Sequence, residues 1–291
     1  MPCDGRHTRA GESRRERRLS EPQVLVERRE SVAIVTLNRP DKRNALSPEM
    51  VVRLARFWRE AADDGSVRVI VVTGAGDRAF CAGGDLGTLI PIMMRTRVPQ
   101  GEWEEALAAD RRQLGAALLR TAGFFKPVIA AINGHAHAGG AEFAFATDLR
   151  VLAEHATIAV TEVRRGLIAS GGSLVRLPRQ VAWAHAAELL LLGEPIDAAT
   201  AYRMGLVNRV VPGAQVLPTA LELAHRMAQG APVALEKTKE VMVRGSGLPF
   251  DEAFAIETQC TKDNAATDDA KEGPRAFMEK RAPVWTGRRP R

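Results

Sequence analysis

Two glycine loops and two glutamates stand out as candidate reactive groups. The first loop, FCAGGDL at 80–86, follows a Val/Ile run. Gly83 and Gly84 carry no side chains, so the backbone there can approach a ligand and present its N–H groups, although a tight turn would use the same residues. The second loop, INGHAHAGGAE at 132–142, leads from an apolar run into a helical segment. Gly139 and Gly140 stand where that helix should begin. N–H groups there lack intrahelical partners and lie at the positive end of the helix dipole, which suits a developing oxyanion. Glu142 follows within the first turn, just ahead of the apolar stretch FAFA. It reads either as a helix-start acid stabilised by the dipole or as a carboxylate whose apolar setting alters its proton affinity. Twenty residues later comes Glu162, in AVTEVRRGL. It reads either as the partner of Arg164 or Arg165, or as a second carboxylate converging on the first. Two carboxylates in distinct environments can divide acid and base work.

Other chemistries find less support. The stretch 74–79 lacks G-x-G-x-x-G, and no Walker A sequence occurs. Ser170-Gly171-Gly172 is not the G-x-S-x-G elbow of a serine hydrolase. His135 and His137 form an HxH pair with no further ligands clustered near them, so no metal site is expected. Cys3, Cys81 and Cys260 are scattered without a CxxC spacing, which fits a reducing, cytoplasmic setting. There is no run of 18 apolar residues and no apolar core in the first 20, so neither a membrane span nor a secretory signal is expected. Half of the formal net charge of +6 sits in residues 1–20, where six Arg face Asp4, Glu12 and Glu16. That tail reads as disordered. The remainder is only mildly basic, so nucleic-acid binding is not expected.

The elements that must position these loops alternate. Strands are expected at 23–27, 31–37, 67–73 and 127–132, in DLRVLA and ATIAV, and at 206–211. The run VRVIVVT at 67–73 has the continuous apolar character of a strand buried on both faces. A helix is expected from Pro48 to about Ala62, with Ser47 as cap and Glu49 in the first turn. Further helices are expected over about 102–122, after the loop at 166–181, and in VAWAHAAELLLLG, which ends at Gly193. The stretch 87–122, with Pro91, Pro99 and Gly101, is a long connection of the kind that walls a binding site. After Pro212 the pattern is almost purely helical. The basic end, EKRAPVWTGRRPR, reads as a solvated tail or as part of an anion site. Together this is an α/β core with parallel character over 21–212, a helical region over 213–291 and a tail over 1–20.

These loops, in this order, resemble the enoyl-CoA hydratase/isomerase (crotonase) family. The likeness runs over about 23–287 and rests on LNRPDKRNAL, AFCAGGDL, KPVIAAINGHAHAGGAE, TEVRRGL with the following SGG, GLVNRVV and EGPRAFMEKRAPVWTG. The resemblance implies an α/β spiral of ββα turns with a helical trimerisation region. It also implies an acyl-CoA thioester substrate, a place in lipid metabolism, a homotrimer or homohexamer, and no cofactor beyond the CoA of the substrate. By position, Gly84 and Gly139 match the family's oxyanion donors, and Glu142 and Glu162 its two acid/base glutamates. Lys42, Arg43 and Ala45 match the turn along the CoA. Ala82, Asp85 and Leu86 fall in the loop near the adenine. Phe277 and Lys280 match residues of the last helix that reach CoA, often on a neighbouring subunit. Hydration of an enoyl-CoA is the expected activity. A carnitinyl-CoA-type dehydratase, an enoyl-CoA isomerase and a non-catalytic acyl-CoA or RNA binder are the alternatives. Four features depart from the family pattern: Ala138 stands where a glycine is common, Thr161 where a proline is, the stretch 87–122 is longer than in typical short-chain hydratases, and the Arg-rich tail before residue 21 has no family counterpart.

Overall fold

The continuous Val/Ile runs become the centre of a parallel sheet, where both faces are covered and no polar alternation is needed. The structure, a computed structural model, describes residues 21–120 and 123–288, so the expected tail at 1–20 lies outside the described residues. The chain opens with an antiparallel hairpin, β1 (Val24–Arg29) and β2 (Val32–Leu37). Helix α1 (Pro48–Asp63) starts as its sequence predicts: the Met50 N–H donates to Ser47 Oγ at 3.2 Å, with Pro48 in the first turn.

Each following turn places one strand in the large sheet and one short strand in a second sheet. Helices then complete the turn. The first such turn is β3 (Val69–Gly74), β4 (Ala79–Cys81), α2 (Leu89–Met93), α3 (Gly101–Ala109) and α4 (Arg112–Ala117). The next is β5 (Val128–Ile132), β6 (His135–His137) and α5 (Gly139–Phe145). The third is β7 (Leu149–Ala153), β8 (Thr157–Ala159), α6 (Ser173–Gln180) and α7 (Trp183–Leu192). Then come β9 (Ile196–Asp197), α8 (Ala198–Arg203) and β10 (Arg209–Val211), followed by α9 (Val216–Ala228), α10 (Pro232–Gly245), α11 (Phe250–Ala265) and α12 (Asp269–Met278). The large sheet has the order β1-β2-β3-β5-β7-β10 and the small one β4-β6-β8-β9. All pairings are parallel except β1 with β2 and β8 with β9. The expected α/β spiral of ββα turns is the fold.

Three sequence expectations change. The glycine loops contain strands: β4 and β6 are three residues each, too short to show a period, and they exist because each pairs along the small sheet. The helical stretch from 102 breaks at Asp110, whose carboxylate accepts from Arg112 N–H at 3.2 Å and pairs with its guanidinium; 121–122 lie outside the described residues. The helical region after Pro212 divides. Helix α9 buries Val216, Ala220, Ala224 and Ala228 in the core against the large sheet, while α10 to α12 lie beyond it. Among the described residues no helix is long and apolar enough to cross a membrane.

Candidate active site

The two glycine loops meet through the small sheet. The turn after β2 is held by Asn44, a fully buried side chain. Asn44 Oδ1 accepts from the Arg39 N–H at 2.9 Å, and Nδ2 donates to the carbonyls of Ala75 at 3.0 Å and Ala79 at 2.7 Å. Backbone bonds then stitch this turn to the first loop: Ala82 N–H to Arg43 carbonyl, Leu46 N–H to Gly83 carbonyl, and Asp85 N–H to Leu46 carbonyl, at 2.8–3.0 Å. Lys42 and Arg43 are exposed on the turn, with Ala45 and Ala82 half-buried beside it and Leu86 exposed. Asp85 is engaged within the protein. It pairs with Arg39 at 3.0 Å and accepts the N–H groups of Gly87 and Thr88, and these bonds hold its carboxyl below the ordinary value despite partial burial. Its side chain thus clamps the loop. Arg39 also donates to the Ala45 carbonyl at 2.6 Å.

Gly83 must be glycine: its φ is +96°, and a β-carbon there would lie 2.7 Å from that of Ala138. Gly140 must be glycine because a β-carbon would overlap the Cys81 carbonyl. This close packing brings Gly84 against Gly139, such that a β-carbon on Gly139 would sit 3.7 Å from the Gly84 nitrogen. Neither N–H has an acceptor among the described residues. Ala138, the cap of α5, takes φ +49° and ψ −127°, a backbone state natural to glycine and strained for alanine.

Gly84 and Gly139 line one cavity of about 290 Å³ together with Glu142 and Glu162. The 87–122 connection walls it, supplying Leu89, Ile90, Met93, Met94, Leu114 and Leu118. The glutamates differ sharply. Glu142 is 3% exposed in the first turn of α5. Its Oε1 accepts three hydrogen bonds, from Gly171 N–H at 2.8 Å, Ser173 Oγ at 2.9 Å and Ser173 N–H at 3.2 Å. Glu162 begins a 3₁₀ turn, Glu162–Arg165, and its Oε2 is buried without a hydrogen-bond partner among the described residues. Burial first, and the charge of Glu142 second, push its carboxyl up to about 7. The ion-pair alternative for Glu162 is not realised: Arg164 pairs with Glu194 at 3.1 Å, and Arg165 donates to the Thr161 carbonyl at 3.1 Å.

Sequence reasoning missed the groups that orient these carboxylates. Ser173 was visible as the last residue of SGGS, and the φ of +121° at Gly172 turns the Gly171 and Ser173 donors onto one oxygen. Arg176 donates to the Gly171 carbonyl at 3.3 Å and the Leu119 carbonyl at 2.5 Å, tying this loop to the 87–122 wall. His135 and His137 both engage Thr157 Oγ1, at 2.9 and 2.8 Å. No group of three potential metal ligands occurs among the described residues. Phe277 is 82% exposed, Lys280 is also exposed, and neither lines the cavity of its own chain. Among the described residues of the C-terminal stretch, 285–287 fold back rather than trailing as a solvated tail. Asp269 accepts the N–H groups of Thr286 and Gly287, and Trp285 Nε1 donates to the Gln229 carbonyl at 2.7 Å.

Comparison with known proteins places this arrangement. The sequence profile described as Enoyl-CoA hydratase/isomerase matches residues 27–288. Enoyl-CoA hydratase EchA19 of Mycobacterium tuberculosis is 42% identical, covering 92% of this chain and 98% of the relative. Carnitinyl-CoA dehydratase of Escherichia coli K12 is 37% identical, covering 89% and 96%. A crystal structure of enoyl-CoA hydratase from M. tuberculosis superposes with a TM-score of 0.80 at 36% identity, over 92% of this chain and 100% of that one. The chain belongs to the enoyl-CoA hydratase/isomerase family and has the crotonase fold.

Proposed function

We propose that the protein is an enoyl-CoA hydratase, adding water across the 2,3 double bond of an acyl-CoA thioester. The observation that carries this reading is the contrast between the two carboxylates in one cavity. Glu142 Oε1 accepts three hydrogen bonds, while Glu162 has a buried oxygen without a partner among the described residues and a carboxyl pushed up to about 7. Two carboxyls in such different surroundings can divide base and acid work.

In this reading the thioester carbonyl lies against the N–H groups of Gly84 and Gly139. Attack at the β-carbon shifts electron density onto the carbonyl oxygen, and the two fixed donors stabilise that charge. Losing one such donor typically costs about 3–4 kcal/mol. Glu142 takes a proton from the attacking water, and Glu162 delivers its own to the α-carbon. Proton transfer between the carboxyls, through water, resets the pair. The reverse reaction is a dehydration, which suits the name of the carnitinyl-CoA relative. Double-bond migration needs only one shuttling acid, so two differentiated carboxyls favour water chemistry. In keeping with this assignment, Lys42, Arg43, Ala45, Ala82, Leu86 and the backbone at Asp85 hold the CoA. The exposed Phe277 and Lys280 reach the site of a neighbour in a trimer or pair of trimers. Light scattering that finds a fully active monomer would overturn that assembly.

A panel of 2-enoyl-CoA thioesters in ¹⁸O-water and in deuterium oxide tests the function. The expected product is a 3-hydroxyacyl-CoA carrying ¹⁸O at the β-carbon and one deuterium at the α-carbon. Migrated double bonds without oxygen incorporation would favour isomerisation instead.

A further inference from the structure

The catalytic cavity does not end at its apolar wall. A second cavity of about 350 Å³ adjoins it, and Met93, Leu114, Ser170 and Gly171 line both. Its remaining side chains are mostly cationic: Arg111, Arg112 and Arg120. Arg112 pairs with Asp110 at 2.8 Å. Arg111 uses one nitrogen on the Met93 carbonyl at 3.3 Å, and no carboxylate among the described residues pairs with Arg111 or Arg120. Neither glutamate of the catalytic pair lines this second cavity. The two cavities therefore share part of their lining, and the second, open to solvent on the 87–122 wall, carries three guanidinium groups. Guanidinium groups present several N–H donors in a fork that fits a carboxylate.

We infer that the acyl group accepted here carries a carboxylate at its far end, received by Arg111 and Arg120 in the cavity that shares Met93 and Leu114 with the catalytic one. The inference rests on the acyl-CoA reading of the site and names its substrate class. A neutral alkyl chain would leave the second cavity's cations hydrated and gain nothing from them. A terminal carboxylate would gain charge-assisted hydrogen bonds. The CoA portion is common to both kinds of substrate, so a comparison between them isolates the distal group.

Saturated thioesters, which cannot be hydrated, separate this inference from the chemistry. Calorimetric Kd values would be measured for succinyl-, adipyl- and suberyl-CoA against butyryl-, hexanoyl- and octanoyl-CoA. At the best-fitting length, the carboxylated member is expected to bind on the order of tenfold more tightly, a gap that narrows with added salt. Arg120→Gln and Arg111→Gln, checked for folding by circular dichroism, should bring the ratio of the two Kd values toward one. Equal binding at every length, or a ratio unmoved by both substitutions, overturns this inference while leaving the hydratase reading intact. Failure of all six thioesters to bind overturns the acyl-CoA reading and this inference with it.

Discussion

Replacing Glu162 by Gln is expected to stabilise the protein at alkaline pH while disabling its chemistry. Burial and the neighbouring charge of Glu142 raise the Glu162 carboxyl from an ordinary 4.5 to about 7. The folded state therefore keeps a proton that the unfolded chain releases near 4.5. The stability linked to that proton is complete below about 4.5 and is lost as pH rises through about 7, where the folded chain must hold a poorly solvated carboxylate. A gap of about 2.5 pH units at about 1.4 kcal/mol each amounts to roughly 3 kcal/mol. The carboxyl borders an open cavity, and water there reduces the figure to about 2 kcal/mol. Gln is neutral at every pH and nearly the same shape, so it escapes the loss. Urea unfolding of both proteins at pH 4.5 and 8.5 reads the difference. The curves should nearly coincide at the lower pH, and the variant should be more stable by about 2 kcal/mol at the higher. A gap that does not change with pH, or a wild type that is the more stable at pH 8.5, would refute the raised proton affinity.

Three other substitutions probe the scaffold. Ser173→Ala removes one of the three donors on Glu142 Oε1; kcat should fall about tenfold with KM little changed, as for a lost bond to a charged group, and an equal rise in KM would argue against a positioning role. Gly140→Ala drives a β-carbon into the Cys81 carbonyl; thermal unfolding should show a loss of at least about 3 kcal/mol, and a melting temperature within a degree of wild type would contradict the packing. Ala138→Gly relieves a strained φ of +49°; a gain of about 1 kcal/mol is expected in chemical unfolding, whereas a net loss would show that no strain is stored there.

The legible parts of this fold are those whose signal is local. Strands β2, β3 and β5 announce themselves as Val/Ile runs because both of their faces are buried. Helix α1 carries its own cap in Ser47 and Pro48. The small sheet was legible only in β8, inside the expected strand ATIAV; β4 and β6 span three residues each within the glycine loops and gain their identity only from neighbours far along the chain. The site divides in the same way. Gly84, Gly139, Glu142 and Glu162 stood out by type and spacing, and the structure gathers all four around one cavity. What tunes them was hidden. Asn44 reaches residues 31 and 35 positions away, and Ser173 reaches Glu142 across 31. Nothing near Glu162 in the sequence distinguished an unpaired buried oxygen from an ordinary ion pair with Arg164 or Arg165.

In the proposed reaction Glu142 and Glu162 work as a unit on one water molecule. That coupling is read from kcat for Glu142→Gln, Glu162→Gln and the double variant on the best enoyl-CoA substrate. Each single substitution is expected to lower kcat by about 10²–10⁴-fold. The double variant should be far less impaired than the product of the singles, because the second loss removes a partner already without a function. Near wild-type turnover by both single variants would contradict the two-carboxylate mechanism for this protein.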